Sequence, residues 1–160
     1  WMKHRSSRRL IASLALACLV LQSASADPTP ASPVGEWSFI TGKMGNNCVL
    51  SGQMSVTRKP DKALICRFTT DWSCETGFMK SVQTTQTCTA KQAGQDIVVT
   101  SKIEKITKSD PADLLGYMRA NYAPDHFKVK INTRGDEMRG LFHSYGQAEV
   151  VFRRHHDLIG

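Results

Sequence analysis

The sequence lacks the short motifs that identify common enzymes and metal proteins. It contains no C-x-x-C pair and no histidines at metal-ligand spacing, which argues against a zinc site. It has no G-x-S-x-G element, so His143 and Ser144 do not form a nucleophile elbow. His126 follows Asp125, which could orient it as a general base. The junction between a turn and a strand explains Asp125 equally well. The acids at turns or at a helix start have no partner carboxylate at a useful spacing: Asp110, Asp113, Asp125 and Asp136. We therefore expect no enzyme activity, no metal and no cofactor.

The sequence also has little excess of basic charge outside its first nine residues. The 21 Lys and Arg outnumber the 14 Asp and Glu, but four of the basic residues lie within the first nine positions. Without those four, 17 basic residues remain against 14 acidic ones, a net charge of about +3 that suits an ordinary protein surface. The remaining Lys and Arg form no stripe interleaved with aromatic residues. We expect no nucleic-acid partner.

The sequence has no apolar run of the roughly 20 residues that span a bilayer. The run from Leu10 to Leu21 follows a basic stretch and precedes the small residues Ala24-Ser25-Ala26. This order predicts a signal peptide over residues 1–26, cleaved near Ala26. Two variants stay open, a twin-arginine signal at Arg8-Arg9 and lipidation at Cys18. We expect a periplasmic or secreted protein without a stable membrane span.

The part after the signal peptide has room for one domain. Three prolines in Asp27–Pro33 predict a flexible leader over residues 27–33. The domain itself is expected over residues 34–154. Residues 155–160, with His155, His156 and Asp157, are expected to form an exposed tail, although adventitious metal binding there stays an alternative.

Four cysteines remain after the signal peptide, and an even number in an exported chain is typical of disulfides. They are Cys48, Cys66, Cys74 and Cys88. Four cysteines allow three pairings, so the choice among them needs the strand pattern.

Runs of strand length separated by turn residues fill most of the domain, and their short connections favour antiparallel neighbours in sequence order. The eight predicted strands are Val34 to Thr41, Cys48 to Arg58, Leu64 to Cys74, Val82 to Ala90, Ile97 to Ile106, His126 to Asn132, Glu137 to Ser144 and Gln147 to Arg154.

Alternation of apolar and polar residues gives each strand an inner and an outer face. In the third strand Leu64, Cys66, Phe68 and Trp72 share one face, while the other face is mostly polar. A hairpin turning about Asp61 places Cys48 opposite Cys74, and one turning about Gly77 places Cys66 opposite Cys88. We therefore predict the bridges Cys48 to Cys74 and Cys66 to Cys88.

One segment departs from the strand pattern. Ser109 followed by Pro111 and by apolar residues at helical spacing predicts a short helix from Pro111 to about Ala120. Such a helix either covers one end of the strands or acts as a lid over a ligand cavity.

Eight sequential strands with one inner face each predict an all-β fold, an antiparallel up-and-down barrel with one short helix. A two-sheet β-sandwich is the alternative. Gly35-Glu36-Trp37 at the first strand and Arg154 at the end of the last resemble the calycin superfamily, which includes lipocalins and bacterial metalloprotease inhibitors. The resemblance implies that Trp37 faces inward with Arg154 packed across it to close the barrel. The chain is also similar to small exported bacterial proteins without an assigned activity.

The inner face of the fourth predicted strand is the least apolar of the eight, and this suggests a binding module rather than an enzyme. Inward polar residues need hydrogen-bond partners, so they either bond within the barrel or line a semi-polar pocket. The predicted ligand-contacting residues are Thr70, Thr84, Gln86, Leu114, Leu115, Met118 and Ser144. A small amphipathic ligand at the barrel mouth is the leading hypothesis. The alternatives are a protease inhibitor that inserts its leader into an enzyme, and a structural envelope protein that binds another envelope protein. The sequence indicates no oligomeric state.

Overall fold

The computed structural model of this chain describes residues 27–155. The predicted signal peptide, its cleavage near Ala26, the lipidation alternative at Cys18 and His156 with Asp157 of the predicted tail lie outside the described residues. The strands and the α-helix are β1 Gly35–Thr41, β2 Cys48–Arg58, β3 Leu64–Cys74, β4 Ser81–Ala93, β5 Asp96–Asp110, α1 Leu115–Asn121, β6 His126–Ile131, β7 Glu137–His143 and β8 Gln147–Arg154. Single 3₁₀ turns at Gly45–Asn47 and Ala112–Leu114 precede β2 and α1.

The eight strands form one closed antiparallel barrel. Each strand pairs with the next along the chain, and β8 returns to pair with β1, where Trp37 lies opposite Arg154 and Phe39 opposite Phe152. This closure confirms the predicted up-and-down barrel. The sandwich alternative is wrong, because a sandwich leaves sheet edges open whereas β1 and β8 satisfy each other's backbone groups here.

The strand bounds follow the sequence pattern closely, and β2, β3 and β8 have the predicted limits. Strand β5 continues past its predicted end at Ile106 to Asp110, which pairs with Ser81 of β4 and so is not a turn or helix-start residue. At their shared turn, strands β4 and β5 are also longer than predicted, extending to Ala93 and from Asp96. The reason is the tight turn between them, where Gly94 adopts a φ of +61° that most residues avoid. Pairing therefore continues up to the turn itself.

Both predicted disulfides are present. Cys48 lies opposite Cys74 in the β2–β3 register, and Cys66 lies opposite Cys88 in the β3–β4 register. The S–S distances are 2.04 and 2.05 Å. Because the two bridges share β3, they tie three consecutive strands together.

Alternation places the large apolar side chains inside the barrel, as predicted. The fully buried set includes Trp37, Leu50, Met54, Phe68, Ile97, Phe127, Ile131, Phe142 and Phe152. Two inward positions are glycines. A Cβ at Gly52 would lie 2.0 Å from the Thr69 carbonyl oxygen and 2.6 Å from the Phe39 ring. Gly52 therefore lets the Phe39 ring pack directly against the backbone, which curves the wall around it.

The helical segment differs in detail from its prediction. Pro111 has an extended backbone with ψ of 150°, so it precedes the 3₁₀ turn and is not the first helical residue. Ser109 does not cap the helix, because its hydroxyl donates a hydrogen bond to the Pro111 carbonyl oxygen at 2.9 Å. The α-helix then runs from Leu115 to Asn121 and buries Met118 against Val82 and Ile106. Within residues 27–155, no helix has the length and apolar character needed to span a membrane.

Candidate ligand-binding site

One end of the barrel is closed by the chain that leads into it. The Trp37 indole donates a hydrogen bond to the Pro33 carbonyl oxygen at 2.8 Å, and the Arg154 guanidinium lies 4.3 Å above the indole ring. Arg154 also donates hydrogen bonds to the carbonyl oxygens of Ser32 at 2.7 Å and Gly135 at 2.6 Å. The predicted barrel-closing pair, Trp37 and Arg154, is thus in contact.

The predicted flexible leader contributes to this closure from Ala31 onward. The Ala31 carbonyl oxygen accepts a hydrogen bond from the Gln92 side chain at 2.8 Å, and Pro33 is buried. Residues 27–30 are exposed.

The middle of the barrel is filled by stacked aromatic rings. Phe39 lies with its ring centroid 4.9 Å from that of Phe152, 5.3 Å from Phe127 and 6.1 Å from Phe68. Phe127 in turn lies 5.9 Å from Phe142. Tilted and edge-on ring pairs at these distances are attractive and leave little space. The middle of the barrel is therefore a packed core.

Above this core, toward the helix, lies a layer of buried polar side chains. The hydroxyls of Thr70 and Thr84 are hydrogen bonded at 2.6 Å. The Gln86 amide donates to the Thr84 hydroxyl at 2.9 Å and to the Asp125 carboxylate at 2.5 Å, and its carbonyl oxygen accepts the Asp125 backbone N–H at 3.0 Å. The Ser101 hydroxyl donates to the Asp125 backbone carbonyl oxygen. The inward polar residues thus bond to one another, with one oxygen of Asp125 as the exception.

Asp125 is the acidic member of this layer and is 0% exposed. One carboxylate oxygen accepts hydrogen bonds from Gln86 and, at 3.1 Å, from the Tyr122 hydroxyl, whereas the other, Oδ1, has no hydrogen-bond partner. Burial raises the pKa of Asp125 to about 6, against the opposing effect of the hydrogen bonds from Gln86 and Tyr122. The ion pairs among residues 27–155 do not include it. Asp125 is therefore a buried carboxylate without a cationic partner, ionised above about pH 6.

A cavity of about 520 Å³ opens at this end, outside the polar layer. Its walls come from the β1–β2 connection, the β3–β4 loop, helix α1 and the β7–β8 loop, and its base includes Trp72 and the Cys48–Cys74 bridge. The remaining lining residues are Met44, Gly45, Asn46, Gly77, Phe78, Met79, Tyr117, Met118, Asn121, Tyr122, Tyr145 and Gly146. No residue of this lining carries a formal charge.

The rim of the cavity exposes aromatic rings to solvent. Phe78 is 76% exposed, Tyr117 61% and Tyr145 59%, the three highest values among the large hydrophobic residues described. Tyr145 also packs edge-on against Tyr122, with ring centroids 5.8 Å apart. Clustered exposed aromatic side chains are unfavourable in water, and such clusters commonly mark binding surfaces.

Chemistry rather than size distinguishes this cavity. Grooves of about 570, 560 and 500 Å³ run along the outer wall between strands. They are lined mainly by outward-facing strand residues, as the surface of any barrel is. The cavity at the helix end joins aromatic, methionine and amide side chains, the usual combination of a small-molecule site.

The predicted ligand-contacting residues divide into three groups. Met118 lines the cavity, and Leu115 packs against the small apolar cluster beneath the helix, while Leu114 is half-buried beside it. The Ser144 hydroxyl donates to the Ala123 carbonyl oxygen at 3.1 Å. Three residues belong to the polar layer and do not line the cavity: Thr70, Thr84 and Gln86.

Sequence reasoning missed most of the aromatic rim. Phe78 and Tyr145 lie in loops, where no periodicity assigns a side chain to a face. The sequence offers no local signal for them, because single exposed hydrophobic residues are common on protein surfaces.

The candidate pair His126 and Asp125 is not joined by a hydrogen bond between the ring and the carboxylate. The His126 ring accepts a hydrogen bond at Nδ1 from the Ser101 backbone N–H at 3.1 Å, while the Asp125 carboxylate bonds to Gln86 and Tyr122. Asp136 is hydrogen bonded to Asn132 in the β6–β7 turn at 2.5 Å. Across residues 27–155, no group of three His, Cys, Asp or Glu side chains is placed to hold a metal ion.

Comparison with known proteins adds little to this geometry. No protein-family model and no curated protein matches the chain. Among solved structures the chain is similar to one described as a de novo design of a fluorescence-activating β-barrel, with 14% identity and a TM-score of 0.40, covering 76% of this chain and 93% of the design. The eight-stranded barrel is established by the strand pairing itself, and the calycin resemblance stays a prediction.

Proposed function

We propose that this protein is an exported, non-enzymatic binding module that takes a small amphipathic ligand into the cavity at the helix end of the barrel. The observation that carries the proposal is the uncharged cavity of about 520 Å³ with three exposed aromatic rings on its rim. Cavities of this size with apolar linings and a few polar groups are typical of small-molecule sites.

The lining suits a ligand with both apolar and polar parts. Trp72, Met79 and Met118 offer apolar contact near the base, and thioethers adapt to irregular shapes. Asn46 and Asn121 offer amide groups, and the rim tyrosines offer hydroxyls. An apolar body with a polar end matches this distribution.

The two disulfides support an extracytoplasmic location, because such bridges persist in oxidising compartments and are rare in the cytosol. A periplasmic or secreted location also agrees with the signal peptide that the sequence predicts. We place the binding activity in that compartment.

The experiment is native mass spectrometry of the protein purified from the bacterial periplasm, combined with displacement of the neutral fluorophore N-phenylnaphthylamine. We expect a co-purified small molecule or displaceable fluorophore. Replacing both rim residues, Phe78→Ala and Tyr145→Ala, should weaken fluorophore binding about tenfold. The matched control is Ile40→Ala with Leu141→Ala, two exposed apolar residues of the outer wall, which should leave binding unchanged. A bare protein mass together with no fluorophore binding would contradict the proposal.

A further inference from the structure

The helix-end cavity has a one-sided electrostatic environment. Its lining carries no formal charge, yet one residue of that lining, Tyr122, donates a hydrogen bond to the buried carboxylate of Asp125 at 3.1 Å. Negative charge therefore lies directly behind the aromatic wall of the cavity.

Within the described range, 27–155, no cationic side chain forms an ion pair with this carboxylate. Its hydrogen bonds come from the neutral side chains of Gln86 and Tyr122, and its oxygen Oδ1 has no hydrogen-bond partner. His126, the nearest titratable residue in sequence, uses its Nδ1 atom as an acceptor, and burial and the neighbouring His143 lower its pKa. Buried charge is costly unless it is paired, so an unpaired carboxylate of this kind favours a positive charge nearby.

The aromatic lining of the cavity also favours a positively charged ligand. The faces of aromatic rings are negative and attract ammonium groups, most strongly where water is excluded. A tyrosine whose hydroxyl donates to a carboxylate has a more electron-rich ring, because the hydrogen bond polarises the phenol. Tyr122, packed against Tyr145 and donating to Asp125, is placed in this way.

At the rim, Lys43 and Glu75 form an ion pair with 2.6 Å between nitrogen and oxygen. Their charges offset each other, and this pair gives the entrance no net sign.

We propose that the ligand of this cavity is a small organic cation, an amine or alkylated ammonium group with an apolar body, whose positive end lies against the aromatic rings on the side of Asp125. The inference rests on the proposed function, because it specifies the ligand class of the same cavity.

The test compares three amphiphiles with the same decyl chain in displacement of N-phenylnaphthylamine from the protein. One ends in a trimethylammonium group, one in the uncharged dimethylphosphine oxide group, which is of similar size, and one in sulfate. We expect the cation to bind about tenfold more tightly than the uncharged compound, and the sulfate to bind more weakly than either. Equal affinity of the cation and the uncharged compound, or tighter binding of the sulfate, would overturn the inference.

Two substitutions locate the source of the preference. Asp125→Asn should reduce the advantage of the cation over the uncharged compound to about threefold, the part that the rings supply. Asp71→Asn is the matched control. Asp71 also has a buried carboxylate oxygen without a partner, but it lies on the outer wall, facing Gln83. The Asp71→Asn substitution removes the same charge and should leave the affinities for all three compounds unchanged.

The outcomes separate the two proposals. If both substitutions weaken binding of the cation equally, the preference comes from the overall charge of the protein, and the inference is overturned. If Asp125→Asn fails to fold, the three-probe comparison on the unaltered protein still decides. Binding of the uncharged compound without preference for the cation refutes the charge inference alone, whereas failure of all three compounds and the fluorophore to bind contradicts the proposed function and the inference with it.

Discussion

Asp125 makes the stability of the barrel depend on pH. Its pKa in the folded protein is raised to about 6 from an ordinary value of 3.8, mainly by burial. Above pH 6 the carboxylate is ionised in both states, and the folded state bears the cost of burying it. As pH falls through 6 toward 4 the folded state takes up a proton before the unfolded state does, so this residue's contribution becomes more favourable to folding.

Replacement of Asp125 by Asn isolates that contribution. The Asn side-chain oxygen can accept the hydrogen bonds of Gln86 and Tyr122 without a charge. We expect the free energy of unfolding of Asp125→Asn, relative to the unaltered protein, to fall by on the order of 3 kcal/mol between pH 8 and pH 4. Urea unfolding at a series of pH values measures it.

The comparison must be a difference between the two proteins, because other groups titrate in the same range. His126 has a lowered pKa in the folded state, so acidification through its titration favours the unfolded state and opposes the effect of Asp125. Tyr122 and Tyr145, whose pKa values are raised, stay neutral over this range. A difference that stays constant from pH 8 to pH 4 would show that Asp125 is not a buried, ionised group.

The role of Asp125 was not predictable from the sequence. It follows a proline and precedes a strand, so a turn acid was the natural interpretation. Its burial depends on Gln86, which lies 39 residues earlier in the chain and reaches it only when β4 curves around the barrel. Local pattern carries no information on such a contact.

At the scale of elements, the disulfides were predictable because alternation and turn position together fix the register of a hairpin. The turn about Asp61 places Cys48 opposite Cys74, and the turn about Gly77 places Cys66 opposite Cys88. The helix was less predictable. The Ser109 and Pro111 pattern is typical of a helix start, but the serine hydroxyl bonds to a carbonyl oxygen and α1 begins only at Leu115.

The two bridges should stabilise the fold to a similar extent. They close loops with sequence separations of 26 and 22 residues, and loop-closure entropy changes slowly with loop length. We expect each double replacement, Cys48→Ala with Cys74→Ala or Cys66→Ala with Cys88→Ala, to lower the free energy of unfolding by about 3 kcal/mol. Urea unfolding of the two variants beside the unaltered protein measures this. A cost near zero for either pair would show that its loop is not constrained in the unfolded chain.

At the scale of the whole molecule, the two ends of the barrel have different tasks. At one end Trp37, Arg154 and residues 31–33 close the interior, and stacked phenylalanines fill its middle. At the other end four connecting segments surround an open cavity. The closed end was predictable, since its residues lie in or beside strands, whereas most of the cavity was not, because its rim lies in loops.

Nuclear magnetic resonance tests the central claim, that the helix end is the binding end, most directly. Backbone amide shifts of the isotope-labelled protein would be recorded during titration with the decyl ammonium amphiphile. The account predicts that the shifts cluster at Met44–Asn46, Gly77–Met79, Tyr117–Tyr122 and Tyr145–Gly146, with little change around Trp37 and Arg154. Shifts concentrated at the Trp37 end or on the outer wall, or no shifts at all, would contradict it.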